Sequence, residues 1–465
     1  MASSAASSNN ILDRRLGPYD AAAIIVSNVI GGGILFTPPL IAAGVPNPWL
    51  FLGIWVAGGV LAFCGASAYA ELAALRPKAG GEYVYLRAAY GNLAGFLTGW
   101  VSFVAGFAGA IAATSVVLVF YLDRFFPGAA DHTPFFVVPL PYFPLTVSRR
   151  TLVAISAVVA LSYVHYRGVG PGRLLMNFLA VLKVAALLLF IAAGFSMGAG
   201  STANMQQVAG PVAGSSWLLA LLAVMFTYSG WNAASYMAEE IRDPGRNVPK
   251  ALALGTGAVI LIYLLLNALY LYVMPVGELA KVQGSVLDVV ADKMLGSAAG
   301  NIMGVVSIVS LLASVSANIF AGPRVYYAMA RDGVFLPAAA KIHPTFRTPS
   351  VAIVAQAIWA SILIMSGSAD TLTTYTGFAV TLFATIAVAA VFVLRSREPN
   401  AERPFKAWGY PFTPALFVIV GTATVINGFY SAPMTTLAGV AVMAAGIPLY
   451  FYFVATSQKT SEDVK

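Results

Sequence analysis

Long apolar runs separated by short polar connections organise this chain. Runs of roughly the 20 residues that a bilayer crossing needs lie near 19–44, 47–74, 95–122, 150–166, 174–197, 215–240, 248–274, 298–328, 349–366, 372–394, 411–430 and 434–455. They predict an all-α integral membrane protein with twelve transmembrane helices, the fourth and ninth of them short. One membrane domain is expected over residues 18–456. The polar segment at 1–17 reads as a disordered tail and 457–465 as a C-terminal tail, and no cleaved leader is expected. An even number of spans puts both tails on one side. The longest connections on the other side are about 123–149 and 275–297.

Two of the runs interrupt themselves. The first carries SNVIGGGILFTPP from Ser27 to Pro39, where three glycines and two prolines stand in a membrane-length segment. Both residue types are poor company for a helix interior. The second carries FTYSGWN from Phe226 to Asn232, in the sixth run. The breaks are five spans apart, and a unit with an odd number of helices is followed by one that enters from the opposite face. That is the pattern of two inverted repeats, about 18–198 and 213–395, with helices eleven and twelve at about 408–456. Backbone opened inside a membrane is tolerable only where it lines a cavity or meets a ligand. The half-helix starting near Ile34 offers N–H groups and a positive dipole end to an anion. The half-helix ending near Val29 offers carbonyls to a cation. One such site fits both ends of an amino acid. Glycines also let membrane helices pack closely, and that suffices for Gly95 and Gly99, or Gly194 and Gly198. The matched positions of the two breaks favour a site.

Composition supports the membrane reading. The chain is 59% hydrophobic and 9% charged, with mean hydropathy +0.82, against about 25% charged in a soluble protein. The net charge of +8 comes from basic residues that are mostly dispersed, so it reads as a topology signal rather than a nucleic-acid surface. With the N-terminus in the cytoplasm, twenty of the 26 Lys and Arg residues fall inside, five outside, and Lys183 within a span. The positive-inside rule then places both termini in the cytoplasm. Cys64 is the single cysteine and sits in an apolar run, so no internal disulfide can form. His132, His165 and His343 are scattered, and no metal set or cofactor is expected. No phosphate-binding G-x-x-x-x-G-K-[ST] run occurs, and no nucleophile elbow sits in a fitting context. Neither ATP drive nor enzyme chemistry is expected.

Lys183 stands inside LLMNFLAVLKVAALLLF. A cation at that depth costs a few kcal/mol and marks function more often than snorkelling. The acidic residues fall in tails, loops or span ends, with Glu71, Glu239 and Glu240 nearest the membrane as capping or ion-pair groups. A cationic substrate would want a carboxylate in the spans, and an anionic one a second cation. A neutral substrate is therefore favoured.

Five stretches carry a family resemblance: IIVSNVIGGGILFTPP (24–39), RPKAGGEYVYLRAAYG (76–91), FTYSGWNAASYMAEEIRDPGRNVP (226–249), ANIFAGPRVYYAMARDGVFLP (317–337) and RPFKAWGYPFTP (403–414). They are spread over the whole chain, which resembles the amino acid–polyamine–organocation superfamily and, within it, the L-type amino acid transporters. The implied fold is a twelve-helix, five-plus-five inverted-repeat transporter with broken helices 1 and 6. The implied activity is amino acid exchange by alternating access.

By that resemblance the substrate carboxylate meets the N–H groups of Gly32 and Gly33. The α-ammonium meets carbonyls of Val29, Phe226 and Ser229, and Ile30 and Gly31 complete the unwound stretch. The Phe226 ring closes over the substrate, and Asn232 stabilises the second break. The family's central serine is Gly32 here, which removes a hydroxyl donor. Ser229 stands where glycine is common and favours small substrates such as alanine or serine. The resemblance puts Lys183 where sodium-coupled relatives of the fold bind sodium. Its ammonium can bridge carbonyls of the first half-helix and hydroxyls of helix eight, with Ser314 and Ser316 as candidates. A built-in cation implies sodium-independent transport. A desolvated lysine can also release its proton, so proton coupling is the alternative, and a cationic amino acid or polyamine antiporter another. Mammalian members pair with a heavy chain through a cysteine in the loop after helix three. Residues 123–149 hold no cysteine, so no disulfide-linked heavy chain is expected. The chain looks like a stand-alone bacterial protein of the inner (plasma) membrane.

Overall fold

Helix ends fall where the sequence supplies punctuation. The Asn47 side chain accepts hydrogen bonds from the Trp49 and Leu50 N–H groups (3.0 and 3.1 Å), and Pro48 opens the helix that follows. Such caps satisfy donors a helix start leaves free. The computed structural model describes residues 12–140, 144–197, 200–296, 298–367, 369–431 and 433–462; of 215, 369–376, 435 and 457–462 it describes the backbone alone.

The chain runs α1 (Pro18–Val29), α2 (Gly32–Gly44), α3 (Pro48–Leu75), α4 (Glu82–Tyr90), α5 (Asn92–Val101) and α6 (Phe107–Asp123), the last two joined by a π-turn at Ser102–Gly106. Then come α7 (Arg149–Tyr166), α8 (Val169–Met197), α9 (Gly214–Thr227), α10 (Pro244–Val273), α11 (Val276–Leu279), α12 (Val286–Leu295) and α13 (Ala299–Arg331). The described chain closes with α14 (Ser350–Ser366), α15 (Ala369–Arg397), α16 (Phe412–Ser431) and α17 (Pro433–Glu462).

Eight helices among the described residues are long and apolar enough to cross a membrane: α3, the continuous α5–α6, α8, α10, α13, the Gly377–Arg397 part of α15, α16, and the Thr436–Thr456 part of α17. A ninth is reached if α1 and α2, which meet at 47°, form one bent span. The other runs predicted as spans are shorter or less apolar. α9 offers a 12-residue stretch, Ser216–Thr227, and α14 has 17 residues. At ~1.5 Å per residue neither alone covers the ~30 Å hydrocarbon thickness. α7 has 18 residues, starts at Arg149 and Arg150 and carries His165.

The all-α expectation needs one amendment. Strands β1 (Pro134–Val138) and β2 (Leu145–Ser148) pair antiparallel in the connection after α6. Their Phe, Val and Thr content suits extended backbone. A second amendment concerns the N-terminal tail. Leu12 and Leu16 are buried, and Leu16 is bridged to the loop after the second break. The Leu16 N–H donates to the Glu240 carbonyl (3.0 Å), and the Leu16 carbonyl accepts from the Arg242 N–H (2.9 Å). The apolar Leu16 finds a buried place that a polar tail would not.

α10 packs along α3 and α1, and α13 along α6, α8 and α1. The rings of Trp55, Tyr228 and Tyr263 form a cluster behind the first break, with centroids 5.8 Å apart for Trp55–Tyr263 and 5.0 Å for Tyr228–Tyr263. The end of the bundle that holds the 76–91 and 241–247 loops is called the inner end below.

Candidate functional site

The first break is two residues long. α1 ends at Val29, Ile30 and Gly31 leave helical geometry, and α2 starts at Gly32. Glycines permit the approach of two neighbours. A methyl group on Gly31 would lie 3.2 Å from the Ser314 Oγ, and one on Gly33 would lie 3.0 Å from the Thr227 Cγ2. Gly32 differs, because its nearest such atom is the Phe36 ring at 3.9 Å. Gly32 and Gly33 are half-buried, and no side chain caps the start of α2. The first-turn N–H groups of a helix have no partner within it. They carry the positive end of the helix dipole.

The carbonyls on the other side of the break are held. Lys183, fully buried in α8, donates to the carbonyls of Ile30 (2.7 Å), Val26 (3.3 Å) and Ser27 (3.3 Å). An ammonium has three donors, and all three are used here. The helix α8 starts at Val169, five residues before the predicted run at 174, so Lys183 stands at its middle.

The expected bridge from Lys183 to hydroxyls of α13 is therefore not formed. Ser316 Oγ instead lies 2.8 Å from His165 Nε2, and Ser314 faces Gly31. Saturation of the ammonium by carbonyls is the physical reason.

The second break follows α9. The Tyr228 N–H donates to the Val224 carbonyl and the Ser229 N–H to the Phe226 carbonyl (both 2.9 Å). Gly230 then takes φ +100°, with its missing methyl facing Asn28 Oδ1 at 2.5 Å. Only glycine combines that φ with that contact. A 3₁₀ segment, Ala233–Glu240, carries the chain to the inner end. The Phe226 side chain is 51% exposed, beside Gly377 of α15. Phe226, Ser229 and Asn232 line one cavity of about 60 Å³ with Gly58, Thr381 and Phe417. That space holds a few waters, not an amino acid.

Tyr263 of α10 joins the two breaks, and sequence reasoning did not find it. Its hydroxyl lies 2.8 Å from the Val29 carbonyl and 3.3 Å from the Thr227 carbonyl. Each carbonyl keeps a second lone pair. The only signal was a tyrosine within the apolar run VILIYLLL. Asn232 Nδ2 donates to Glu82 Oε1 (2.6 Å) and lies 3.2 Å from the Tyr236 hydroxyl, tying the second break to α4.

Ion pairs gather at the inner end. Arg324 and Glu240 are 1% and 0% exposed and 2.7 Å apart. Arg331 holds Glu239 (2.9 Å), Arg395 and Arg403 hold Glu71 (2.6 and 3.3 Å), and Arg87 pairs with Asp332. The acidic span ends expected as ion-pair groups are such groups. Among the described residues no cluster of three or more His, Cys, Asp or Glu could hold a metal.

Comparison with known proteins gives a consistent picture. The family model described as amino acid permease matches residues 16–454. The chain is 29% identical over 453 residues to the large neutral amino acids transporter small subunit 2 of Mus musculus, covering 95% of this chain and 81% of that protein. It is 27% identical over 451 residues to the serine/threonine exchanger SteT of Bacillus subtilis (strain 168), covering 95% and 97%. It is 28% identical over 453 residues to the cystine/glutamate transporter of Homo sapiens, covering 96% and 87%.

Proposed function

We propose a function from one established premise, that this chain belongs to the amino acid permease family. It is a multi-pass membrane protein that moves amino acids and is not an enzyme. In our reading it works by alternating access as a sodium-independent exchanger of neutral L-amino acids, small ones favoured.

One observation carries this reading. Gly32 and Gly33 stand half-buried at the uncapped start of α2, across a two-residue break from the carbonyl end of α1, and the first-turn N–H groups of a helix have no partner within it. Those N–H groups suit a carboxylate, and the spare lone pairs of the Val29 and Phe226 carbonyls suit an α-ammonium. Relatives named for large neutral amino acids, serine/threonine and cystine/glutamate differ in side chain but share these two groups. A site built on backbone fits what they share.

Sodium independence follows from Lys183, whose buried ammonium already occupies the carbonyls a metal cation would take. A neutral side chain fits because the buried glutamates Glu71, Glu239 and Glu240 are committed to arginines and the fourth, Glu82, is enclosed by Tyr69 and Asn232. Ser229 narrows the floor beside Phe226, which favours alanine or serine over leucine. We read Phe226, half-exposed at the second break, as the gate over the substrate. We place α1 with α2 as span one and α9 with the 3₁₀ segment as span six. Counting α7 and α14 then gives twelve spans in two inverted repeats of five plus helices eleven and twelve. Both termini are then cytoplasmic in the plasma membrane. Cys64 is the sole cysteine and is buried in α3, so the protein works without a disulfide-linked heavy chain.

The second reading is proton-coupled symport. It is favoured by the same Lys183, which is buried with no carboxylate partner among the described residues.

The test is uptake of labelled alanine into sodium-free proteoliposomes, empty or preloaded with unlabelled alanine. Uptake only into preloaded vesicles supports exchange. Uptake into empty vesicles on imposing a proton gradient favours the symporter. No uptake of alanine, serine or leucine in either overturns the reading.

A further inference from the structure

Four buried glutamates stand at the inner end among the described residues: Glu71, Glu82, Glu239 and Glu240. Three have arginines. Glu82, 5% exposed at the start of α4, has no cation among the described residues. Its Oε1 accepts from the Tyr69 hydroxyl of α3 and from Asn232 Nδ2, both at 2.6 Å, and the Tyr236 hydroxyl also acts on it. The Tyr85 ring completes the enclosure, edge-on to Tyr69 at 5.7 Å. The nearby charges are committed elsewhere. Arg87 and the Tyr83 hydroxyl go to Asp332, Arg331 to Glu239, and Arg395 and Arg403 to Glu71.

Three neutral donors thus hold a carboxyl that joins the 76–91 loop to the second break. We infer that Glu82 is a proton-binding site, and that its proton sets how easily the second break parts from α4 when the inner end opens. This rests on the transport reading above.

The argument is electrostatic. Opening the inner end must carry the Ala233–Glu240 segment away from α4 and α13, and so must break the bond from Asn232 to Glu82. An ionised carboxylate that loses a buried donor keeps its charge in a low-dielectric place, which is expensive. A neutral carboxyl loses only an ordinary hydrogen bond. Burial raises the Glu82 pKa from its ordinary value, and the donations from Tyr69, Asn232 and Tyr236 pull it back without cancelling that rise. The proton therefore exchanges closer to neutrality than for an exposed glutamate. Protonation loosens the latch, so exchange speeds up as pH falls through the Glu82 pKa. Glu82 is a positioning residue, since it acts through Asn232 and does not touch the substrate.

The experiment measures alanine exchange with the same pH on both sides, between about pH 5 and 8, for the wild type, Glu82→Gln and Tyr69→Phe. The wild-type rate is expected to rise several-fold towards low pH. Glu82→Gln should hold the fast plateau at every pH. Tyr69→Phe removes a donor to the charged form and should move the midpoint up by ~0.5–1 pH unit. A flat wild-type profile, or a Glu82→Gln variant that keeps the wild-type profile, overturns the inference. If Glu82→Gln does not fold, Tyr69→Phe decides, and an unmoved midpoint overturns it. A second readout needs no transport: an infrared band of a protonated carboxyl should appear on acidification and vanish in Glu82→Gln, or in Tyr69→Phe should appear at higher pH. Absence of exchange at every pH would count against the function proposed above. Absence of the carboxyl band would count against Glu82 alone.

Discussion

The Lys183 ammonium lies 2.7 Å from the Ile30 carbonyl oxygen, and so a cation of α8 completes the end of α1. With Val26 and Ser27 also held, three carbonyls at the end of α1 share one cation. Lys183→Ala removes it; the Val26 carbonyl keeps the Ile30 N–H (3.1 Å), and a buried carbonyl left with no donor costs about 1–3 kcal/mol. The first break should lose its shape. Exchange in proteoliposomes is expected to fall by at least about tenfold, roughly 1.4 kcal/mol, with protein still monodisperse in detergent. Lys183→Ala exchanging at the wild-type rate would remove the lysine from the mechanism.

Tyr263 makes a different kind of bond, between the two breaks rather than within one. Tyr263→Phe keeps the ring, and with it the packing on Trp55 and Tyr228. It deletes only the hydroxyl near the Val29 and Thr227 carbonyls. A net loss of about 1 kcal/mol is expected from such a deletion. It should show as a several-fold change in the KM for alanine with a small change in thermal unfolding temperature. A KM that does not move would confine Tyr263 to packing.

Much of this arrangement is legible in the sequence, for identifiable reasons. Gly31 to Gly33 and Gly230 mark the breaks because a missing side chain is visible in a string of letters. Lys183 is visible because a charge within an apolar run is rare. Tyr263 is not, because tyrosine in an apolar helix is ordinary and its meaning depends on which carbonyls three-dimensional packing brings to its hydroxyl. Glu82 is hidden for the same reason: it reads as a loop acid, and only folding of α4 against Tyr69 and Asn232 buries it. The contact of Ser316 with His165 is not legible either, because the sequence does not show how many acceptors Lys183 already has. The hairpin Pro134–Val138 with Leu145–Ser148 lies inside a connection of which the apolar runs say nothing.

Gly32 and Gly33 should respond oppositely to added atoms. Gly32 has open space on its side-chain face, with only the Phe36 ring at 3.9 Å, whereas Gly33 has Thr227 at 3.0 Å. Gly32→Ser should be accepted and add a hydroxyl donor near the carboxylate, lowering the KM by a few-fold, as expected for about 0.5–1.5 kcal/mol from one hydrogen bond. Gly33→Ala should push α2 from Thr227 and slow exchange. Equal effects from the two substitutions, measured side by side in alanine exchange, would mean that the first turn of α2 does not receive the carboxylate.

Arg324 and Glu240 form an almost fully buried pair, with the guanidinium also stacked 3.8 Å over the Phe320 ring and donating to the Phe320 carbonyl (2.6 Å). Breaking such a pair from one side strands a charge and costs about 3–5 kcal/mol, whereas replacing both partners by apolar groups can be neutral. Glu240→Gln alone should lower the unfolding temperature and leave Arg324 unpaired. The double variant Glu240→Met with Arg324→Met should recover much of that loss. Transport should separate from stability in the same pair. The bond joins the segment after the second break to α13, and opening of the inner end must part them. The double variant should therefore be stable yet biased towards the inner-open state, read as faster labelling of a cysteine introduced on the 3₁₀ segment from the inner side. If the double variant regains stability and its labelling rate matches wild type, the pair is a packing element and the inner end is held shut by the remaining contacts of Glu239 and Arg331.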